Sequence, residues 1–123
     1  MKRVSIILMC FFILCGCQSK KELSEDNTSQ LETIISENNY IIVDVRTEEE
    51  YEASHVKDAI NIEYTLIDDS IELDKEKDIL VYCASGRRSN IAATKLSSMG
   101  YKVYDLGGLK SINQFEIIEV KES

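Results

Sequence analysis

The chain has no proline, no tryptophan and a single histidine, His55, among its 123 residues. One imidazole and scattered cysteines lack the clustered spacing that zinc requires, so neither a metal nor a cofactor is expected. Positive charge is also scarce: 14 lysines and arginines stand against 22 aspartates and glutamates, for a net charge of −8. A nucleic-acid partner is therefore not expected, because a phosphate backbone needs a basic face. Any small anion must be attracted by local arginines rather than by the whole molecule. No apolar run is long enough for a membrane span, which takes about 20 residues. The missing proline carries no functional reading. What is present is 44% hydrophobic residues, enough for a real core in one ordinary domain.

The N-terminus reads as an address rather than as fold. Met1-Lys2-Arg3 is a short basic start, and Val4 to Leu14 is apolar except for Ser5. That layout has the size of a signal-peptide core. Leu14-Cys15-Gly16-Cys17 follows and resembles a bacterial lipobox, in which the final cysteine becomes lipidated and N-terminal. The expected organisation is a lipoprotein signal peptide over 1–16, a lipidated N-terminus and flexible tether over 17–29, and one domain over 30–123. Lipid on Cys17 would anchor the domain on the extracytoplasmic face of the cell membrane. Each buried CH₂ contributes about 0.8 kcal/mol, so two or more acyl chains hold firmly. The alternative is an ordinary secretory signal cut nearby. Loss of Lys2 and Arg3 with the leader takes the basic count from 14 to 12 against 22 acidic residues, net −10.

Cysteine usage then becomes informative. Cys10 and Cys15 leave with the leader and Cys17 is taken by lipid, so Cys83 is the one thiol that remains. Domains in oxidising compartments usually pair their cysteines, and a single retained thiol points to use. Cys83 ends the apolar run Ile79-Leu80-Val81-Tyr82, a buried-strand pattern, and precedes the helical pattern Ser89 to Met99. Backbone N–H groups converge at such a junction and the helix dipole is positive there. Both favour the thiolate, the reactive form. Gly86 lets the chain curl with amides turned inward, and Arg87 and Arg88 add positive charge. The loop Ala84-Ser85-Gly86-Arg87-Arg88 reads as an anion cradle around a sulfur nucleophile that solvent must reach. The bland alternative is a buried structural cysteine beside two solvated arginines.

Elsewhere the chain alternates strand and helix signals. Leu31, Ile34 and Ile35 have helical spacing. Tyr40 to Val45 is the pattern of a central parallel strand. Thr47 and Glu50 form a capping box for a helix that carries Tyr51. His55-Val56 is expected as a turn, Ala59 to Ile62 as a short strand, and Leu66 to Leu73 as weakly helical. In Ser89 to Met99, Ala92, Leu96 and Met99 share a face, and Gly100 suits the C′ position. Tyr101 to Tyr104 is expected as a strand and Leu109 to Phe115 as a last short helix. The alternation predicts an α/β fold, a mainly parallel sheet with helices on both faces. Ligands bind beyond the carboxyl ends of such strands, so Asp44 to Arg46, Cys83 to Ser89 and Gly107-Gly108 should meet on one rim.

Asp44-Val45-Arg46-x-x-x-Glu50-Tyr51-x-x-x-His55-Val56-x-x-Ala59-x-Asn61-Ile62 resembles the N-terminal signature of the rhodanese homology domain. Cys83-x-x-Gly86-x-Arg88-Ser89-x-x-Ala92-Ala93-x-x-Leu96-x-x-x-Gly100-Tyr101 is similar to its active-site loop and following helix. Asp105-Leu106-Gly107-Gly108-Leu109 is a looser match to the family's closing motif. Ser54 and Asp58 stand where glycines usually flank the histidine, and Ile112 where many members carry tryptophan. The resemblance implies a single rhodanese-like domain with sulfurtransferase activity. Cys83 would take sulfane sulfur from a small anionic donor such as thiosulfate and pass it, as a persulfide, to a thiol or cyanide. Ala84 to Arg88 would hold the charge, with the family pattern favouring Arg88 over Arg87 as the inward cation. Asp44 and Arg46 are expected as a scaffold ion pair, and His55 as a structural residue rather than a base. Phosphatases of this fold need five residues between cysteine and arginine; here there are four before Arg88, a loop better suited to sulfur. A non-catalytic sulfur carrier or sensing module is the other reading, and no protein partner is legible.

Overall fold

A strand buried on both faces organises the molecule. Asp78–Cys83 (β4) sends Ile79, Val81 and Cys83 to one side and Leu80 and Tyr82 to the other, all five fully buried. Period-two alternation makes both sides of such a strand part of a core. The computed structural model describes residues 25–120, with side chains from 28 onward. The expected signal peptide, the lipid site at Cys17 and most of the expected tether lie outside the described residues.

The chain runs α1 (Glu25–Glu37), β1 (Tyr40–Asp44), α2 (Glu48–Ala53), β2 (Ser54–Val56), β3 (Ile60–Asn61), β4, α3 (Arg87–Ser98), β5 (Val103–Gly108) and β6 (Ile117–Glu119). Four strands form a parallel sheet in the order β3-β1-β4-β5. One face packs on α3 through Val43, Val81, Cys83, Ala92 and Leu96. The opposite face packs on α1 through Ile34, with Ile42, Leu80, Tyr82 and Ile112. This is the expected α/β arrangement with helices on both faces. A separate antiparallel pair, β2 with β6, closes the C-terminal end of the chain against the segment after α2.

Several expected elements take another form, each for a local or tertiary reason. The helix α1 starts at Glu25, inside the stretch expected as tether. His55-Val56 is strand rather than turn, because β6 supplies a pairing partner from more than sixty residues away: His55 lies opposite Ile118. Leu66 to Leu73 is not an α-helix; a single 3₁₀ turn, Tyr64–Leu66, is followed by irregular chain. There the Asp68 carboxylate accepts the Ser70 N–H at 2.8 Å and Asp74 accepts the Glu76 N–H at 2.9 Å. Such side-chain turns compete with helical hydrogen bonding. The last expected helix reduces to the 3₁₀ turn Leu109–Ser111 before β6. Of the two absent glycines, Ser54 sits in extended backbone that needs none, whereas Asp58 adopts φ 65°. Aspartate tolerates that region better than most residues.

Candidate active site

The carboxyl ends of β1, β4 and β5 lie side by side, as the sheet register requires. Asp44 pairs with Tyr82, and Cys83 with Gly108. A bulge near Leu106 sets that second pairing, since Val81 faces Asp105 but Tyr82 faces Gly107. Gly107 makes the bulge with φ 78°, and the Asp105 carboxylate accepts its N–H at 2.8 Å. Gly108 allows a close approach: a β-carbon there would come within 2.6 Å of the Ala84 carbonyl oxygen. The closing glycine pair is thus the floor on which the cysteine loop rests. The three segments expected on one rim do meet there.

Within the loop, Gly86 takes φ 99° and turns its N–H onto Cys83 Sγ at 2.9 Å. Ser89, fully buried on the first turn of α3, places Oγ 3.5 Å from the same sulfur and 3.1 Å from the Gly86 carbonyl. One hydroxyl proton serves two states. With a thiol, Ser89 donates to Gly86 O and accepts from S–H; with a thiolate, it turns its O–H to the sulfur. Burial pushes the Cys83 thiol up, but the Ser89 hydroxyl and the N–H groups of Ser89, Gly86 and Ser85 outweigh it. The pKa therefore lies below the ordinary 9.0. Loop hydrogen bonds, rather than the two arginines, are the main stabilisers of the thiolate. Ser89 and its hydroxyl role were not singled out by sequence reasoning, although Ser89 stands in the quoted motif.

Accessibility differs from expectation. Cys83 has 0% of its surface exposed, while Ala84, Ser85 and Arg87 beside it are exposed. The loop donors lower the Cys83 pKa, the direction expected, whereas the expected open sulfur is buried. Reaction with any partner therefore requires some movement around Cys83.

The arginines also part company. Arg88 is tied to Glu50 by two bonds, Nη1 to Oε1 at 2.7 Å and Nη2 to Oε2 at 3.0 Å. The Arg88 guanidinium holds the Glu50 carboxyl at about 2, against an ordinary 4.5. Glu50 is also the third residue of α2, where it completes the expected capping box with Thr47. Sequence reasoning found the cap and missed the ion pair, which joins residues 38 positions apart. Arg87 is exposed and makes no ion pair among the described residues.

Asp44 and Arg46 form the expected scaffold pair, fully and nearly fully buried. Arg46 Nη2 lies 2.7 Å from Asp44 Oδ2 and donates to the Ser54 carbonyl at 2.6 Å. Tyr82 joins them: its hydroxyl donates to Asp44 Oδ2 at 2.7 Å and accepts the Val56 N–H at 2.9 Å. Burial, opposed by that Val56 bond, pushes the phenol well above its ordinary range. This network fixes β1, β4 and the start of β2 beneath the rim, with no contact to Sγ. His55 is spent on structure: Nδ1 lies 2.8 Å from the Tyr51 carbonyl and its ring stacks on Tyr51 at 3.9 Å. A surface groove of about 400 Å³ between α1 and β5 does not include the cysteine loop.

The rhodanese-like domain model matches residues 27–114. Thiosulfate sulfurtransferase PspE of Escherichia coli is 43% identical over 74 residues, which cover 57% of this chain and 71% of that protein. Thiosulfate sulfurtransferase GlpE of Coxiella burnetii is 35% identical over 77 residues, 61% of this chain and 72% of that one. A solved E. coli rhodanese with anions superposes with a TM-score of 0.60 at 38% identity, covering 66% of this chain and 99% of its own. With a hydrogen-bonded cysteine in a six-residue loop at the carboxyl rim of a parallel sheet, inside the matched residues, the chain belongs to the rhodanese-like domain family and is a sulfurtransferase of the rhodanese type.

Proposed function

We propose that the protein moves sulfane sulfur from a small anionic donor such as thiosulfate to a thiol or cyanide through a persulfide on Cys83. The observation that carries the reading is the hydrogen-bonded Cys83 sulfur, whose pKa is held below the ordinary value by loop donors. The thiolate attacks the outer sulfur of thiosulfate. The sulfur–sulfur bond of the donor breaks, its electron pair leaves with sulfite, and a Cys83 persulfide anion remains. A second nucleophile then attacks the outer persulfide sulfur and regenerates the thiolate. Thiocyanate is the product with cyanide, and a new persulfide with a thiol. No general base is required when the thiolate attacks directly, and the lowered Cys83 pKa favours that form. The amides that face Sγ are preorganised for the negative charge that persists through both steps.

We further propose that the protein works at the extracytoplasmic face of the cell membrane, anchored by lipid on Cys17. The basic start, the apolar run from Val4 to Leu14 and Leu14-Cys15-Gly16-Cys17 support this. The complete burial of Cys83 favours a second reading, a carrier or sensing module whose sulfur is exposed only on a partner. Thiosulfate:cyanide transfer by the purified full chain separates the two. Thiocyanate formation that is lost in Cys83→Ser supports the enzyme; equal background rates in both proteins support the module.

A further inference from the structure

We infer that the two loop arginines divide their work: Glu50 retains Arg88 as a strut of the loop, and Arg87 is the cation that recruits the anionic donor. The inference deepens the sulfur-transfer reading and rests on it for the identity of the donor.

The Glu50–Arg88 pair joins two elements that both border the cysteine. Arg88 lies in the first turn of α3, next to Ser89, whose hydroxyl touches Sγ. Glu50 is fixed by its place in the cap of α2, where its Oε1 also meets the Thr47 N–H and hydroxyl. A guanidinium whose two terminal nitrogens are gripped by both oxygens of one carboxylate has that edge occupied and its charge largely offset. That geometry suits a strut. A second oxyanion would meet a charge already offset by Glu50, with only the remaining N–H groups left to bind it.

Arg87 has the complementary attributes. It is exposed and without a carboxylate partner among the described residues. It directly follows Gly86, whose nitrogen lies 2.9 Å from Sγ, so its Cα is at most about 8 Å from the sulfur by standard backbone lengths. From that Cα the long, exposed side chain can bring its guanidinium within the about 8–10 Å over which charges act at physiological salt. The chain carries a net charge of −8, so an anion approaching the rim is repelled by the rest of the surface. An uncompensated cation beside the loop therefore favours its arrival. Glu50 acts through Arg88 and is a positioning residue.

The test uses alkylation of Cys83 in the full chain by an anionic reagent, iodoacetate, and a neutral one, iodoacetamide. In each reaction the sulfur forms a bond to the methylene carbon and iodide leaves. The opening of the loop is common to both reagents, so the ratio of their rates isolates recruitment of the anion. Arg87→Gln is expected to lower that ratio about three- to tenfold, the size of one partly screened charge interaction. The double variant Glu50→Gln/Arg88→Gln removes a neutral pair and is expected to keep the wild-type ratio. Glu50→Gln alone frees the Arg88 charge and is expected to raise it; this variant decides the matter if the double one does not fold. A ratio lost in the double variant, unchanged in Arg87→Gln, or not raised in Glu50→Gln overturns the division of labour. Because alkylation needs no sulfur donor, absence of thiosulfate turnover would sink the transferase reading and leave these ratios interpretable.

Discussion

The chemistry rests on one sulfur and the few donors around it. A buried cysteine ordinarily titrates high, and here burial does act in that direction. It is outweighed by the Gly86 N–H at 2.9 Å and by the Ser89 hydroxyl. The pH dependence of iodoacetamide reaction should therefore give a midpoint for Cys83 below 9.0. Ser89→Ala removes a donor to the charged form, so its midpoint should move up. A midpoint that stays or falls would remove Ser89 from the account. A second residue-scale prediction concerns Tyr82, whose hydroxyl serves both Asp44 and the Val56 N–H. Tyr82→Phe takes the hydroxyl from the buried Val56 N–H and one of three donors from Asp44 Oδ2, which keeps its two Arg46 bonds. A loss of about 1–3 kcal/mol is expected in denaturant melts. Cys83 and its basic neighbours stood out in the sequence because they are contiguous. The Tyr82 network did not, since nothing local links Tyr82 to Asp44 or Val56.

Among the elements, local signals were readable and distant ones were not. The α2 cap could be found because Thr47 and Glu50 are three residues apart on one turn. The strand character of His55 could not, because its pairing partner Ile118 arrives from the far end of the chain. The irregular stretch after Leu66 shows a third case: a weak helical pattern opposed by the Asp68 side chain, which bonds the Ser70 backbone instead. Packing of the loop on β5 makes a firm prediction. Gly108→Ala sets a methyl 2.6 Å from the Ala84 carbonyl, so chain must shift in the loop that holds Cys83. The expected result is a loss of about 1–3 kcal/mol with a larger proportional loss of Cys83 reactivity. Wild-type melting and alkylation rates would contradict the proposed seating. The α2–α3 strut predicts a pH effect. Glu50 has a folded pKa of about 2 against an ordinary 4.5. A carboxyl whose pKa is depressed on folding contributes stability above its unfolded value and loses it as pH falls through the folded one. The stability advantage of wild type over Glu50→Gln should be full at neutral pH, shrink below about 4.5 and vanish near 2. Its size is modest, because both partners are partly exposed.

Across the whole molecule, a parallel sheet buried on both sides brings together residues far apart in sequence, and its carboxyl rim collects the chemistry. The α/β class and the location of the rim follow from alternating strand and helix patterns. The burial of Cys83 does not, because it depends on how the folded chain packs around that side chain. On the proposed function, that burial requires some movement around Cys83 before sulfur can enter or leave. The proposed membrane anchor belongs to the same scale and has its own test. Expressed in a bacterium with an alkyne-bearing palmitate analogue, the chain should take up label, and Cys17→Ser should not. Equal labelling of the two would refute that site.

Mass spectrometry of the intact full chain after brief exposure to thiosulfate reaches the central claim most directly. A gain of about 32 Da that maps to the Cys83 peptide and is discharged by cyanide is the predicted result, one added sulfur held as a persulfide. An unchanged mass at Cys83, or a gain carried equally by Cys83→Ser, would contradict the account.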